Sequence, residues 1–163
     1  MLKIETGMGA LRKCVLILTS PPAYIKKHLF NIEGDRTPEL IQTVYKNGSA
    51  AKLLLVKGSV DYVVEEGKIL DTIAEPDVPA MEAIGGTGDT ISGMIAAFVD
   101  AGINPSRSAM LAARANRAAG RMAGATPATK ISRIIECFPD VFRENLCKWT
   151  GVCIVEGVDD DRN

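Results

Sequence analysis

The sequence is poor in the residues that build metal centres and disulfide-stapled folds. It contains one histidine, His28, and four cysteines that are far apart and form no Cys-x-x-Cys pair: Cys14, Cys137, Cys147 and Cys153. Structural zinc sites and small secreted domains need these residues in clusters. We therefore expect no disulfide framework and no metal site built from protein side chains.

The sequence also lacks an excess of charge and a long apolar run. Lysine and arginine number 19 against 20 for aspartate and glutamate, so the overall charge gives no reason to expect a nucleic acid or an anionic membrane as the main partner. No apolar stretch approaches the roughly 20 residues needed to span a bilayer, and Met1 is not followed by a basic and apolar leader. We expect a cytoplasmic protein in which any phosphate binding is local.

The chain of 163 residues fits one domain, covering 1–163, with no repeats or linker that would divide it. The N-terminal segment 1–14 and the acidic tail 157–163 are expected to be poorly ordered. Hydrophobic patterning predicts strands in the first half of the chain and helices in the second. This order indicates an α/β fold, a three-layer sandwich in which helices cover a sheet.

Four strands are predicted from short apolar runs. The run Leu53–Val56 is apolar at every position, as expected for a central strand covered on both faces. Residues 15–18 form a strand that ends where Pro21 and Pro22 force a turn. Residues 61–65 and 69–73 form two more strands, joined through Glu66-Gly67.

Helices are predicted where apolar residues recur at helical spacing between a cap and a stop signal. The predicted stretches are a helix capped by Thr37 and ending before Gly48, one from Gly88-Asp89 to Gly102, one from Asn104-Pro105 to about Ala123, and one around residues 131–138, with Pro139 starting a fresh turn.

The segment Gly85-Gly86-Thr87-Gly88-Asp89 places three glycines at the start of an amphipathic helix. Glycines remove side chains where backbone N–H groups must approach an anion, and the helix directs its positive dipole end at the same point. Asp89 lies in the first turn, where it could accept a proton from a substrate hydroxyl beside a bound phosphate. The residues alone leave a second interpretation open, in which the glycines make a tight turn and Asp89 only pairs with N–H groups of the helix start.

The stretch 85–97, Gly-Gly-Thr-Gly-Asp-Thr-Ile-Ser-Gly-Met-Ile-Ala-Ala, resembles the signature of the ribokinase-like superfamily. Within it, the closest resemblance is to the ATP- or ADP-dependent NAD(P)H-hydrate dehydratases. Upstream, Val56-Lys57-Gly58 resembles the Lys-Gly element that precedes this loop in those enzymes. Downstream, residues 115–120 and 124–127 resemble the stretch near the adenine in sugar-kinase relatives. The resemblance covers about residues 50–142 and implies a truncated ribokinase-like fold.

The resemblance also implies a chemistry and a role for each matching residue. The chemistry is phosphorylation of a small-molecule hydroxyl with ATP or ADP and Mg²⁺, followed in the dehydratases by an elimination that restores NAD(P)H. In the kinase relatives, the same loop simply phosphorylates an alcohol. The implied roles are an anion hole formed by Gly86, Thr87 and Gly88, a base in Asp89, and a nucleotide site lined by Lys57, Gly58, Gly85 and Asn116.

For two of these residues the sequence leaves a structural alternative. The amide of Asn116 lies among alanines on one helix face, where it could meet a nucleotide or bond to a neighbouring loop. Lys57 follows a buried strand, and its ammonium could reach a phosphate or extend to solvent. We interpret the opposite face of the Asn116 helix as a solvated or subunit-facing surface; it carries Arg107, Arg114, Arg117 and Arg121.

The chain departs from the family pattern in its N-terminal part. Family members are considerably longer, and their N-terminal half supplies several strands and most of the acceptor pocket. Their His-Pro-Gly-Glu-like element corresponds here to Thr19-Ser20-Pro21-Pro22-Ala23-Tyr24. A sheet without that half exposes an edge and an apolar face, so we expect a homo-oligomer or a partner chain that completes the fold. A noncatalytic nucleotide-binding or assembly module is therefore the alternative to an enzyme.

Overall fold

A computed structural model describes residues 2–5, 14–18, 37–46, 48 and 50–151, with side chains from residue 37 onward. The elements in chain order are β1 (Leu2–Glu5), β2 (Cys14–Leu18), α1 (Thr37–Lys46), β3 (Leu53–Val56), β4 (Asp61–Glu65), β5 (Lys68–Ile73), a 3-10 helix (Pro79–Ala83), α2 (Thr87–Asp100), α3 (Pro105–Met122), α4 (Ile131–Ile135) and α5 (Phe138–Thr150). The predicted turn at 19–24 and the acidic tail 157–163 lie outside the described residues. Among the described helices, none has the length and apolarity that crossing a membrane requires.

The five strands form one sheet whose spatial order follows the chain, β1-β2-β3-β4-β5. β2 and β3 are parallel, and the other neighbouring pairs are antiparallel. The hairpin between β4 and β5 turns at Glu66-Gly67, where both residues have positive φ, as in a two-residue hairpin turn. β1 lies within the segment 1–14 for which no strand was predicted, because four residues are too short a window for an alternation signal.

The sheet carries helices on both faces, which confirms the predicted three-layer sandwich. All four side chains of Leu53–Val56 are buried, at 0–3 % exposed, and successive side chains of a strand point to opposite faces. Leu54 and Val56 pack with Ile41 of α1. Leu53 and Leu55 pack on the other face, in a cluster that includes Ile91, Ile95, Ala109, Ala112 and Ala113 of α2 and α3.

A second core lies between α3, α4, α5 and the 3-10 helix, and it contains Met81, Ala115, Ala119, Ile134 and Val141. Gly120 allows Met81 of the 3-10 helix to approach the backbone of α3 closely. A Cβ atom at position 120 would lie 1.9 Å from Met81 Sδ. The 3-10 helix therefore packs directly against the α3 backbone, and α3 fixes its position.

The helix ends follow the sequence signals. Asn104 caps α3, with its Oδ1 accepting from the N–H groups of Ser106 and Arg107. α5 begins at Phe138 with Pro139 in its first turn, as predicted. The cysteine expectation needs a correction, because Cys147 of α5 is disulfide-bonded. Spacing along the chain does not reveal which cysteines the fold brings together.

Candidate functional site

A cleft of about 360 Å³ lies where the end of β3, the loop before β4, the 3-10 helix, the start of α2 and the middle of α3 meet. This volume is within the range of small-molecule sites. The lining residues are Lys57, Gly58, Ser59, Asp61, Asp77, Val78, Pro79, Met81, Glu82, Thr87, Asn116 and Arg117. The cleft thus collects residues from three stretches of the chain, 57–61, 77–87 and 116–117.

Lys57 leaves the buried strand β3 and enters this cleft. Its Nζ donates to the hydroxyl oxygen of Thr87 at 3.5 Å. Within the described residues it makes no ion pair with a carboxylate. Burial lowers the pKa of the Lys57 ammonium below its ordinary value; Asp61 opposes this shift, Arg117 adds to it, and Glu82 opposes it. Lys57 is thus a largely desolvated cation that has no counter-ion of its own in the described part of the chain.

The glycine loop leads into the first turn of α2 beside the cleft. Gly86 is the residue before the helix, with φ 94°, and a Cβ there would lie 3.1 Å from Ile131 Cγ1. This glycine is therefore required by the backbone conformation and by packing. Gly85 is exposed, and a Cβ there would meet nothing within 4 Å. The packing of the fold therefore does not require a glycine at position 85.

Thr87 faces inward from the first turn of α2 and is 7 % exposed. Its hydroxyl accepts from Lys57 and donates to the carbonyl of Ile84 at 3.3 Å. The helix begins with the N–H of Thr90 bonded to the carbonyl of Gly86 at 3.0 Å, which leaves the earlier N–H groups without partners inside the helix. Because the Lys57 ammonium contacts Thr87 in the same turn, these N–H groups and the ammonium are hydrogen-bond donors close to one another.

Asn116 of α3 is 1 % exposed and lines the cleft. Its Oδ1 lies 2.9 Å from Thr90 Oγ1, whose single proton is shared between this oxygen and the carbonyl of Thr87. Asn116 Nδ2 makes no hydrogen bond within the described part of the chain. No buried side-chain nitrogen of the described residues lacks a hydrogen-bond partner, so this amide N–H lies at the surface of the cleft, where it can donate to a ligand.

Arg117 corrects the sequence interpretation of α3, because it is 7 % exposed and does not lie on a solvated surface. Its Nε donates to Asp61 Oδ2 at 2.8 Å, and its Nη atoms donate at 2.9 Å to the carbonyls of Gly58, Ser59 and Ala74. The helical wheel failed here because it shows direction around the axis but not which loop covers that side. The other arginines of that face also donate hydrogen bonds to the protein. Arg107 donates to the carbonyl of Thr150, Arg114 to the carboxylate of Asp71, and Arg121 to the carbonyl of Asp77.

Asp89 is placed differently from the cleft residues. It is exposed, and it does not line the cleft. Residues two positions apart on a helix point about 200° apart, so Asp89 faces outward while Thr87 faces the cleft. Asp89 also makes no hydrogen bond with the described residues and does not cap the helix, where no side-chain cap bond is present. The alternative role as a helix cap thus finds no support in its contacts.

The structure brings four of the eight predicted site residues into one cleft: Lys57, Gly58, Thr87 and Asn116. The remaining four, Gly85, Gly86, Gly88 and Asp89, lie at the entry and first turn of α2 without lining it. Sequence reasoning missed Asp61, which is 1 % exposed. A carboxylate at the start of a buried strand needs a charged partner, and that signal could have identified Asp61 and directed attention to Arg117.

Similar proteins place the chain in one family. The family described as NAD(P)H-hydrate dehydratase, a carbohydrate-kinase type, matches residues 10–138. The chain belongs to this family. An uncharacterised protein of Methanocaldococcus jannaschii is 35 % identical over 127 residues, which are 78 % of this chain and 54 % of that relative. The bifunctional NAD(P)H-hydrate repair enzyme Nnr of Hyperthermus butylicus is 30 % identical over 120 residues, 72 % of this chain and 22 % of that enzyme.

A solved structure supports the fold. YxkO of Bacillus subtilis, a UPF0031 member described as a kinase candidate, superposes with a TM-score of 0.59 at 19 % identity. The match covers 85 % of this chain and 52 % of YxkO. The chain therefore spans about half the length of this structure and of the Methanocaldococcus relative, and less of the Hyperthermus enzyme.

Proposed function

We propose that the chain binds the phosphates of ATP or ADP in the cleft and at the start of α2, and that it supports phosphoryl transfer to the hydroxyl of an NAD(P)H hydrate. One observation carries the proposal. Lys57 and Asn116 border the same cleft, and among the described residues the Lys57 ammonium makes no ion pair and donates only to the Thr87 hydroxyl. Donors of this kind fit a phosphate oxygen, to which charged N–H groups bond strongly.

The reaction that we propose follows the family chemistry. Asp89 takes the proton of the substrate hydroxyl, the hydroxyl oxygen bonds to the terminal phosphorus, and the bond from that phosphorus to the nucleotide breaks. Loss of the phosphate, together with a proton from the adjacent carbon, then restores the double bond of NAD(P)H. In this proposal the acceptor hydroxyl binds beside Asp89 at the start of α2, where it meets the terminal phosphate.

Magnesium fits the proposal as a companion of the nucleotide. The described residues contain no group of three or more His, Cys, Asp or Glu side chains that could hold a metal ion. Mg²⁺ is commonly held by one or two carboxylates together with substrate phosphates. Asp77 and Glu82 line the cleft and are the carboxylates that would meet such an ion.

A thermal shift experiment tests nucleotide binding. A ligand present at about 100 times its dissociation constant stabilises the fold by about 2.7 kcal/mol, so millimolar ATP or ADP with Mg²⁺ should raise the melting temperature. Absence of a shift with either nucleotide would refute binding. An NAD(P)H-hydrate repair assay on the same protein then tests turnover.

A second candidate function is a nucleotide-binding module without catalysis. The specific observation in its favour is that Asp89 does not line the cleft with Lys57 and Asn116. In that case nucleotide would stabilise the protein as above, but the repair assay would show no turnover. The proposal that the protein is an enzyme includes a second chain, either another copy or a partner, that completes the acceptor pocket. Turnover only in the presence of such a chain would support this part of the proposal.

A further inference from the structure

Arg117 is buried at the back of the proposed nucleotide cleft, where it joins three parts of the chain. Its side chain is 9 % exposed, and its ion-pair partner Asp61 is 2 % exposed. It also donates to the carbonyls of Gly58 and Ser59, just after Lys57, and to that of Ala74, just after β5. The guanidinium thus fixes the turn that follows Lys57.

Asp61 contributes a second bond to the same turn. Its Oδ1 accepts from the N–H of Gly58 at 3.1 Å, while its Oδ2 accepts from Arg117. Both carboxylate oxygens are therefore used, although the Lys57 ammonium is close enough for the two charges to interact. Without Arg117, the buried Asp61 carboxylate would lack a positively charged partner. The Lys57 ammonium is a cation whose charge interacts with it.

We propose that Arg117 is a positioning residue: by taking up the Asp61 carboxylate and holding the 58–59 carbonyls, it keeps the Lys57 ammonium available for an anionic ligand. The inference rests on the proposed function, because it assumes that an anion enters the cleft. The family resemblance implies no such role for Arg117. Arg117 acts through Lys57 and need not touch the ligand.

The titration of Lys57 in the ligand-free protein tests this role directly. NMR of ¹³C-labelled lysine, with the signal assigned from Lys57→Arg, reports the ammonium. The charged groups near it are Asp61 on β4, Arg117 on α3, and Glu82 and Asp77 on the 3-10 helix and the loop before it. In Arg117→Gln, Asp61 should become the counter-ion of Lys57 and raise its titration midpoint by about one pH unit or more.

Two further variants separate positioning from simple tethering of the loop. In Asp61→Asn/Arg117→Gln the loop loses the same tether, but no carboxylate remains, so the midpoint should return to or below that of the wild type. Arg114→Gln is the matched control, because it breaks an ion pair from the same helix to Asp71, away from the cleft. Equal titrations in the single and the double variant would overturn the inference.

If Arg117→Gln does not fold, Asp61→Asn alone remains informative. Removing the carboxylate while keeping Arg117 should lower the Lys57 midpoint further, and an unchanged midpoint would refute the coupling. Calorimetry with ADP and Mg²⁺ completes the test. We expect roughly tenfold weaker binding in Arg117→Gln and recovery in the double variant. A wild type that fails to bind ADP refutes the proposed function, whereas a wild type that binds while all variants titrate alike refutes the role of Arg117.

Discussion

The ammonium nitrogen of Lys57 lies 3.5 Å from the hydroxyl oxygen of Thr87, although the two residues are 30 positions apart in the sequence. The contact joins the end of β3 to the first turn of α2, which are the two places where the family resemblance placed nucleotide-binding residues. It makes the Lys-Gly element and the glycine loop parts of one surface.

Lys57→Met should weaken nucleotide binding and stabilise the ligand-free protein. Loss of a charged hydrogen-bond donor is expected to reduce ADP affinity roughly 10- to 100-fold. Because burial lowers the pKa of Lys57 in the fold, the unfolded chain binds the proton more tightly, and the charged lysine costs stability at neutral pH. Calorimetry and thermal unfolding measure the two effects.

The pH dependence gives the same prediction a second check. Between the lowered folded pKa of Lys57 and its ordinary value of 10.5, the unfolded state holds the proton and the folded state does not, so this residue makes stability rise with pH. Lys57→Met should lose that rise. The control is Lys52→Met, which removes an exposed lysine paired with Glu66, and an identical profile in both variants would contradict the prediction.

Asp89→Asn should retain the fold and nucleotide binding, while turnover in an NAD(P)H-hydrate repair assay falls on the order of a hundredfold or more. Asparagine has nearly the same shape, and Asp89 makes no bond with the described residues that its loss would break. Loss of a negative charge near the phosphates should tighten nucleotide binding. An active wild type with unchanged turnover in the variant would refute the role as a base.

Gly120→Ala should destabilise the protein by about 1–3 kcal/mol, because the new methyl group would overlap Met81 Sδ. Gly93→Ala is the matched control on α2. It also replaces a helical glycine, but with open space around the Cβ position, so it should stabilise the protein by about 0.5–1 kcal/mol. Denaturant unfolding measures both, and equal effects of the two substitutions would contradict the packing argument.

Self-association is the fourth prediction, and it concerns the described sheet edges. β5 has a neighbour on one side only, and it exposes Leu70 at 38 %. An unpaired strand edge favours pairing with another chain. Sedimentation should show a concentration-dependent oligomer, and a monomer at every concentration would refute this expectation.

The sequence predicted most of the fold because its signals are local. The apolar run Leu53–Val56, the turn at Glu66-Gly67 and the cap at Asn104 each depend on a few adjacent residues, and the structure shows each of them as predicted. β1 was missed because four residues carry too little alternation. The disulfide of Cys147 was missed because it depends on which segments meet in space.

The candidate site was predictable only in part for the same reason. Lys57, Gly58, Thr87 and Asn116 were found through short motifs, and all four line the cleft. The partnership of Asp61 and Arg117 joins residues 56 positions apart, and no local pattern reports it. Arg117 was assigned to a solvated or subunit-facing surface because it lies opposite the alanine face of α3, and the sequence does not show the loop that covers it.

The bonds of Arg117 also bear on when the cleft can form during synthesis. Its partners at Asp61, Gly58, Ser59 and Ala74 lie 43 to 59 positions earlier in the chain, and contacts of such separation form after local ones because a long loop must close first. The β4–β5 hairpin depends on contacts that are local in the sequence, but the turn after Lys57 lacks its anchor until α3 docks. We expect that a nascent chain cannot complete the cleft before residue 117 has left the ribosome, so ribosome-bound chains ending short of α3 should not retain nucleotide.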